Sequence, residues 1–300
     1  PEHLALEQEL ADFCDREAAL LFNSGYQANV SILPTLLDRC CRVFVDRLAH
    51  RSLLAGVQAS EARWQRYPHN DYDRLEALLR QAPADCHRWI VSETVFSMDG
   101  DRADIERLTA LARRYDACLY LDDAHAFGIL GPEGSGLATR NPEVDVVVGT
   151  FGKACGGFGS FVAGSRRLID TLINFCPGFI YTTALPPGVV AGLRAAIALL
   201  PQLEAERQHL HALADCLRDG LQRLGYDRRD STSAIVPALV GTDARALALA
   251  AHLESQGCLG IPIRPPTVPE GTARVRLTLS AAMQGHHLDR LLMALESWDG

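Results

Sequence analysis

Lysine is nearly absent from this chain of 300 residues: Lys153 stands alone among 29 Lys and Arg, and 37 Asp and Glu give a formal net charge of -8. With the arginines scattered, the sequence lacks the basic patch that nucleic acid or an anionic membrane requires, so a small-molecule substrate is expected. It also lacks any apolar run near the roughly 20 residues needed to span a bilayer, and Pro1 to Leu10 is no signal peptide. A cytoplasmic protein that binds no membrane is the expectation. The nine cysteines are odd in number and show no C-x-x-C spacing, which argues against a disulfide framework or zinc ribbon. Reduced core thiols are expected, as for Cys118 in ACLYLDD. Cys40 and Cys41 are adjacent and on a strand would point to opposite faces. No repeat, low-complexity tract or disordered linker occurs. The chain opens on Pro-Glu-His-Leu without Met and enters directly into a helical pattern. An upstream segment, removed or lying outside this sequence, is the expectation.

The 48% hydrophobic content suffices for a full core and implies one large domain with a smaller one. Apolar runs alternate with amphipathic helices up to about residue 190, the pattern of a mostly parallel sheet covered by helices on both faces. Strands are expected at 41–46, 88–93, 117–122, 145–150 and 159–164. Ile105, Leu108, Leu111 and Tyr115 mark a crossover helix over 103–115, and Leu75, Leu78 and Leu79 mark another. After Leu-Pro-Pro-Gly at 185–188 come long Ala/Leu-rich helices over about 188–224. They are followed by a strand (AIVPALV), a helix, a strand (RVRLTLS) and a last helix with Leu288, Leu291, Leu292 and Leu295 on one face. The expected division is a large α/β domain over 1–190 and a smaller α+β domain over 191–300.

In an open α/β sheet, chemistry collects where strands end. Asp46, Glu93, Asp122 and Thr150 each close an expected strand. Lys153 follows one of them in GTFGKACGGFG, among small residues that let a planar group approach the backbone. An isolated loop lysine is ordinarily solvated. A lysine entering a low-dielectric crevice has its neutral amine favoured, as a Schiff-base nucleophile requires. Asp122, Asp123 and His125 form a second group in LYLDDAHAFG. A carboxylate buried at a strand end needs a partner, and a protonated pyridine nitrogen is one that would act as an electron sink. His125 could then donate to that ring's phenolic oxygen. Asp-x-x-His can instead ligate zinc or iron, or Asp122 can simply cap its strand. His50, after the strand CRVFVD, could stack on the ring. Ser24 is an N-cap candidate, so Gly25 and Tyr26 would offer free amides to a phosphate.

The strings LFNSGYQANV, DRLAHRSL, HND, ETVFSMDGD, LDDAHAFGILG, GTFGKA, FIYTTALPP and IRPPTVPEGTARVRLTLS occur in this order between Leu21 and Ser280, and the resemblance they carry runs from His3 to the last helix. Together they resemble the α-oxoamine synthases, pyridoxal 5'-phosphate (PLP) enzymes of fold type I. The resemblance implies a PLP-dependent acyltransferase that condenses an amino acid with an acyl thioester and releases carbon dioxide. L-Alanine and a pimeloyl thioester are the implied pair, with coenzyme A or an acyl carrier protein as the donor's carrier. It implies Lys153 as the Schiff-base lysine, Asp122 at the ring nitrogen, His125 at the phenolic oxygen and His50 stacked on the ring. Ser97 and Thr150 are implied as cofactor contacts, and Gly25, Tyr26 and Thr182 or Thr183 of a partner subunit lie near the phosphate. Arg276 is implied to hold the amino-acid carboxylate, with Arg264 and Thr267 as further substrate contacts. Arg274 alternates with Arg276 along one strand and so shares its side, which leaves Arg274 an alternative. A homodimer with active sites at the subunit boundary is implied as well. The chain departs from the family pattern at Pro177 and Gly178, where a basic residue is usual, and lacks the family's glycine-rich leading segment. Alternative readings are a sister synthase using glycine, serine or another acyl group, a metal-dependent hydrolase built on Asp122 and His125, and a cofactor-free scaffold.

Overall fold

The apolar runs between helical stretches become strands of one sheet in the computed structural model, which describes residues 1–299. The first compact unit comprises residues 1–94 and 103–203. Its strands are β1 (Ala18–Phe22), β2 (Cys41–Asp46), β3 (Arg63–Tyr67), β4 (His87–Glu93), β5 (Ala117–Asp122), β6 (Val146–Thr150) and β7 (Ser160–Gly164). Its helices are α1 (Glu2–Cys14), α2 (Gly25–Leu36), α3 (Arg51–Ala59), α4 (Tyr72–Gln81), α5 (Ile105–Tyr115), α6 (Arg166–Phe175), α7 (Pro177–Ile180) and α8 (Pro187–Leu199).

The sheet runs β1-β7-β6-β5-β4-β2-β3. From β3 to β6 every pair is parallel, while β7 is antiparallel to both β6 and β1. Side-chain alternation splits the core into two layers. Ala18, Leu20 and Phe22 of β1 join Val162, Ile32, Leu33 and Val57 on one face, whereas Ala19 and Leu21 join Phe161, Leu6, Leu10 and Leu193 on the other. Each of the five strands anticipated over 41–164 forms within a residue of its expected ends, and the crossover helix starts at Ile105 because Asp104 caps it through the Arg107 amide. Three strands were not legible in the sequence: β1, β3 and, in the second unit, β9.

The second unit comprises residues 95–102 and those from Glu204 onward. It contains α9 (Glu204–Arg223), β8 (Ile235–Gly241), α10 (Asp243–Ser255), β9 (Ile261–Ile263), β10 (Ala273–Thr278) and α11 (Gly285–Glu296). Its antiparallel sheet runs β8-β10-β9. Close packing of α9 on α11 depends on Gly220, where a Cβ would come within 2.4 Å of Leu292.

The division falls between Leu203 and Glu204 rather than at residue 190. Helix α8 belongs to the first unit because Val190, Leu193 and Ile197 bury against Leu6 and Leu10 of α1. Residues 95–102 leave the first unit's chain order because they bond within the second: Gly100 O accepts from the Thr232 amide at 3.0 Å and Arg102 donates to Thr232 O at 2.6 Å. All nine cysteines are free, yet Cys14, Cys41 and Cys176 alone are buried, and Cys40 and Cys216 are exposed. Core placement was therefore expected too broadly, since a small thiol is tolerated equally at strand starts and helix surfaces. Among the described residues no single helix is long and apolar enough to cross a membrane.

Candidate active site

Parallel strands β2, β4, β5 and β6 end side by side on Asp46, Glu93, Asp122 and Thr150. Strand register sets Glu93 directly beside Asp122. Loops leaving these ends carry the other candidates. His50 caps α3 after β2, His125 lies in the turn after β5, and Lys153 lies in the loop between β6 and β7. The last two loops are in direct contact, since Gly128 has φ 85° and a Cβ there would sit 2.5 Å from that of Ala154. Only glycine permits this backbone at that approach. Lys153 is exposed, where the sequence reading had placed it in a buried crevice. Its charge nevertheless acts on both His50 and Glu93.

Asp122 is nearly buried, and both of its oxygens accept: Oδ2 from Asn29 Nδ2 at 2.7 Å and Oδ1 from the Ala124 amide at 3.0 Å. Glu93 Oε1 accepts the His50 amide at 2.5 Å, which ties the His50 loop to β4. Burial, reinforced by Asp122, holds the Glu93 carboxyl well above the usual range. The His50 imidazole is pulled down by burial of part of its ring and by Lys153, against the opposing pull of Asp122. Asp46, also buried, accepts from the Leu48 and Asn70 amides and pairs with His69 Nδ1 at 2.9 Å. It fixes the loop leading to His50 and is structural.

The first turn of α2 faces the end of β6. A Cβ built on Gly25 would meet nothing nearer than Thr150 Cβ at 4.0 Å, and one on Gly152 nothing nearer than Thr150 Oγ1 at 3.8 Å. The Ser24 hydroxyl accepts the Gln27 amide, as an N-cap should. The Gly25 and Tyr26 amides have no acceptor among the described residues, so an anion would be held there by helix amides. Thr182 and Thr183 reach the same helix start within the chain: Asn23 Nδ2 donates to Thr182 Oγ1 at 3.0 Å and to Thr183 O at 2.8 Å. Gly178 has a steric explanation, because a Cβ there would lie 1.9 Å from Ser31 Oγ. No larger residue fits at 178 while α7 rests on α2.

In the second unit, the two arginines of β10 separate. Arg274 is almost fully buried in an ion pair with Asp99, and its Nε donates to Thr272 O at 2.9 Å. Among the described residues Arg276 donates once, to Ser97 O at 3.2 Å, and its buried Nε has no partner. Arg276 thus retains donors for a carboxylate, whereas Arg274 is already paired with the carboxylate of Asp99. Arg264 and Thr267 are exposed on the turn after β9, joined by the Thr267 amide donating to Arg264 O at 3.0 Å. Neither side chain bonds Arg276 among the described residues.

Sequence reasoning missed Asn29 and Ser52. Asn29 is fully buried and shares the apolar stripe of α2 with Ala28, Ile32 and Leu33. A polar residue on such a stripe is the signal that could have found it. No group of three His, Cys, Asp or Glu able to share a metal ion exists among the described residues, so Asp122 and His125 acquire no third protein ligand.

This is an α/β protein with a lysine loop, a strand-end carboxylate and a serine-capped helix start near the ends of the central strands of a mostly parallel sheet. A model of the class I and II aminotransferases matches residues 1–295, and the chain belongs to that family. It is 52% identical to an 8-amino-7-oxononanoate synthase of Gluconacetobacter diazotrophicus, over 98% of this chain and 76% of that protein. A Cellvibrio japonicus 8-amino-7-oxononanoate synthase is 47% identical over 98% and 75%. Among solved structures, S. paucimobilis serine palmitoyltransferase with a bound PLP–myriocin aldimine matches with a TM-score of 0.95 and 30% identity, covering 99% of this chain and 76% of that one. The 8-amino-7-oxononanoate synthase of Francisella tularensis matches with a TM-score of 0.87 and 25% identity, covering 98% and 86%.

Proposed function

We propose that this chain condenses L-alanine with a pimeloyl thioester, releasing carbon dioxide and the free thiol and forming 8-amino-7-oxononanoate for biotin biosynthesis. Support comes from relatives of that name at about half identity across nearly the whole chain. The structural observation that carries the reading is the convergence of Asp122, His50, Lys153 and the first turn of α2 near the ends of the central strands of one sheet.

These residues fit PLP. The open floor between Gly25 and Thr150 beside unpartnered helix amides suits its phosphate, and the nearly buried Asp122 suits its ring nitrogen. Lys153 would hold PLP covalently, with His50 on the ring, His125 at the phenolic oxygen, and Thr150, Ser97, Gly25, Tyr26, Thr182 and Thr183 as further contacts. Bound PLP supplies an electron sink for the carbanion formed at the amino-acid α carbon. Lys153 Nζ takes that α proton once its amine is free and returns one to the product. Arg276 grips the carboxylate that leaves as carbon dioxide, using the donors that its single bond to Ser97 O leaves available. Arg264 and Thr267 contact the acyl donor, carried by coenzyme A or a carrier protein.

A homodimer completes the proposal, supported by Ile173, Phe175, Ile180 and Tyr181, large apolar side chains left exposed on α6, α7 and just beyond. Nine free thiols support a cytoplasmic setting. The test is incubation of PLP-loaded protein with L-alanine and pimeloyl-CoA, with glycine and serine in parallel. Carbon dioxide and the C8 amino-ketone are expected with alanine, and both are lost in Lys153→Ala. Turnover with glycine or serine alone, or with none of the three, overturns the assignment.

A further inference from the structure

A chain of hydrogen bonds, buried as far as Ser52, runs from the end of β5 to the exposed His50, and its direction follows from the chemistry of its members. Asn29 Nδ2 donates to Asp122 Oδ2 at 2.7 Å and to Ser52 Oγ at 2.9 Å. Both amide protons are thereby used, so Asn29 Oδ1 is left as an acceptor, and Tyr120 OH donates to it at 2.7 Å. Ser52 Oγ, accepting from Asn29, has its own proton free for His50 Nδ1 at 2.7 Å. A second donor reaches the same nitrogen: the Ser52 backbone N–H, at 3.3 Å, makes His50 the N-cap of α3. A backbone N–H can only donate, so Nδ1 must carry a lone pair and the ring proton sits on Nε2. Asn29, Ser52 and Tyr120 are each buried, so water does not offer substitute partners.

We infer that Asn29 and Ser52 are positioning residues that join the Asp122 carboxylate to His50 and lock that imidazole as its neutral Nε2–H tautomer. Protonating Nδ1 would set a proton against two donors at a helix N-terminus, where positive charge is already disfavoured. The consequence, which rests on the PLP reading, is that a neutral face rather than a second cation is offered to a ring whose nitrogen is held protonated by Asp122. One amide side chain thus serves both: it aims the carboxylate with one proton and, through Ser52, sets the stacking ring with the other.

The full chain, labelled with ¹⁵N at histidine and studied with PLP bound and after its removal, tests this near pH 7, with His50→Gln to assign the resonance. His50 is expected to show a proton-bearing Nε2 and a lone-pair Nδ1 in both states. Ser52→Ala leaves only the longer backbone donor on Nδ1 and is expected to shift the Nδ1 resonance while keeping its lone pair, and to raise the dissociation constant for PLP by roughly three- to tenfold, the value of about one hydrogen bond. Ser52→Thr, which keeps the hydroxyl, is expected to restore both. A protonated or mixed-tautomer His50 in the parent protein overturns the inference, as do an Nδ1 resonance and a PLP affinity both unmoved by Ser52→Ala in folded protein. Failure to take up PLP at all counts against the proposed function instead and leaves the tautomer measurement standing.

Discussion

At the end of β5 and along β10, near-identical neighbours have opposite surroundings. Asp122 and Asp123 are adjacent buried carboxylates. Asp123 is closed off by Thr94 Oγ1 and the Leu137 and Ala138 amides, while Asp122 is aimed by Asn29 and the Ala124 amide toward the strand-end crevice. Arg274 is consumed by Asp99 and Thr272 O, whereas Arg276 keeps a buried Nε without a partner. Residue type is the same within each pair, and both aspartates are buried, while Arg274 is buried and Arg276 half-buried. What separates chemistry from scaffold is the bonding capacity left over after folding.

The sharpest test of this contrast exchanges the aspartates. Asp122→Asn is expected to lower turnover of the folded fraction by about 10²–10³-fold, as loss of an electrostatic stabiliser does. Asp123→Asn should leave turnover of the folded fraction intact and only destabilise, by about 1–3 kcal/mol, because it points an amide at backbone donors. Equal effects of the two on turnover would break the comparison.

The arginines come next. Arg276→Ala should raise KM for the amino acid by roughly 30- to 100-fold, about 2–3 kcal/mol, without a matching loss of stability in urea unfolding. Arg274→Ala should leave KM near its parent value and cost about 3 kcal/mol of stability, because it breaks a largely buried ion pair. Reversed assignments would make Arg274 the substrate residue after all.

The smallest effect is in pH. Burial pushes the Asp123 carboxyl up to about 6 from 3.8, against the opposing hydrogen bonds from Thr94, Ala138 and Leu137. A raised carboxyl favours the folded state fully below the unfolded value, and that contribution is lost as pH rises through the folded one. The stability of the parent protein relative to Asp123→Asn should therefore fall between about pH 4 and pH 6, by at most about 1.4 kcal/mol per pH unit. A gap that widens with pH would show that Asp123 is held ionised instead.

The strands that escaped sequence reading share one property: β1, β3 and β9 are all at sheet edges. Central strands β4, β5 and β6 are covered on both faces, so their apolar runs announce them. Strand β3, Arg-Trp-Gln-Arg-Tyr, is mostly exposed and carries the charges an edge tolerates. Strand β1, Ala-Ala-Leu-Leu-Phe, is buried but built mainly of good helix formers, and its pairing with β7 decides its state. Strand β9 is three residues with a central proline.

By itself the sequence determined the parallel sheet, the strand-end positions of Glu93, Asp122 and Thr150, the lone lysine beside one of them, and the choice of family. These are local matters, in which period, strand length and motif order need no knowledge of distant contacts. Tertiary structure alone decided that Arg274 is spent and Arg276 is not. It likewise decided that Asn29 links Asp122 to His50, and that α8 packs with the first unit. Each of these depends on which side chain from a remote segment arrives as partner, and a hydrogen bond or ion pair is made by proximity in space, which spacing along the chain does not encode.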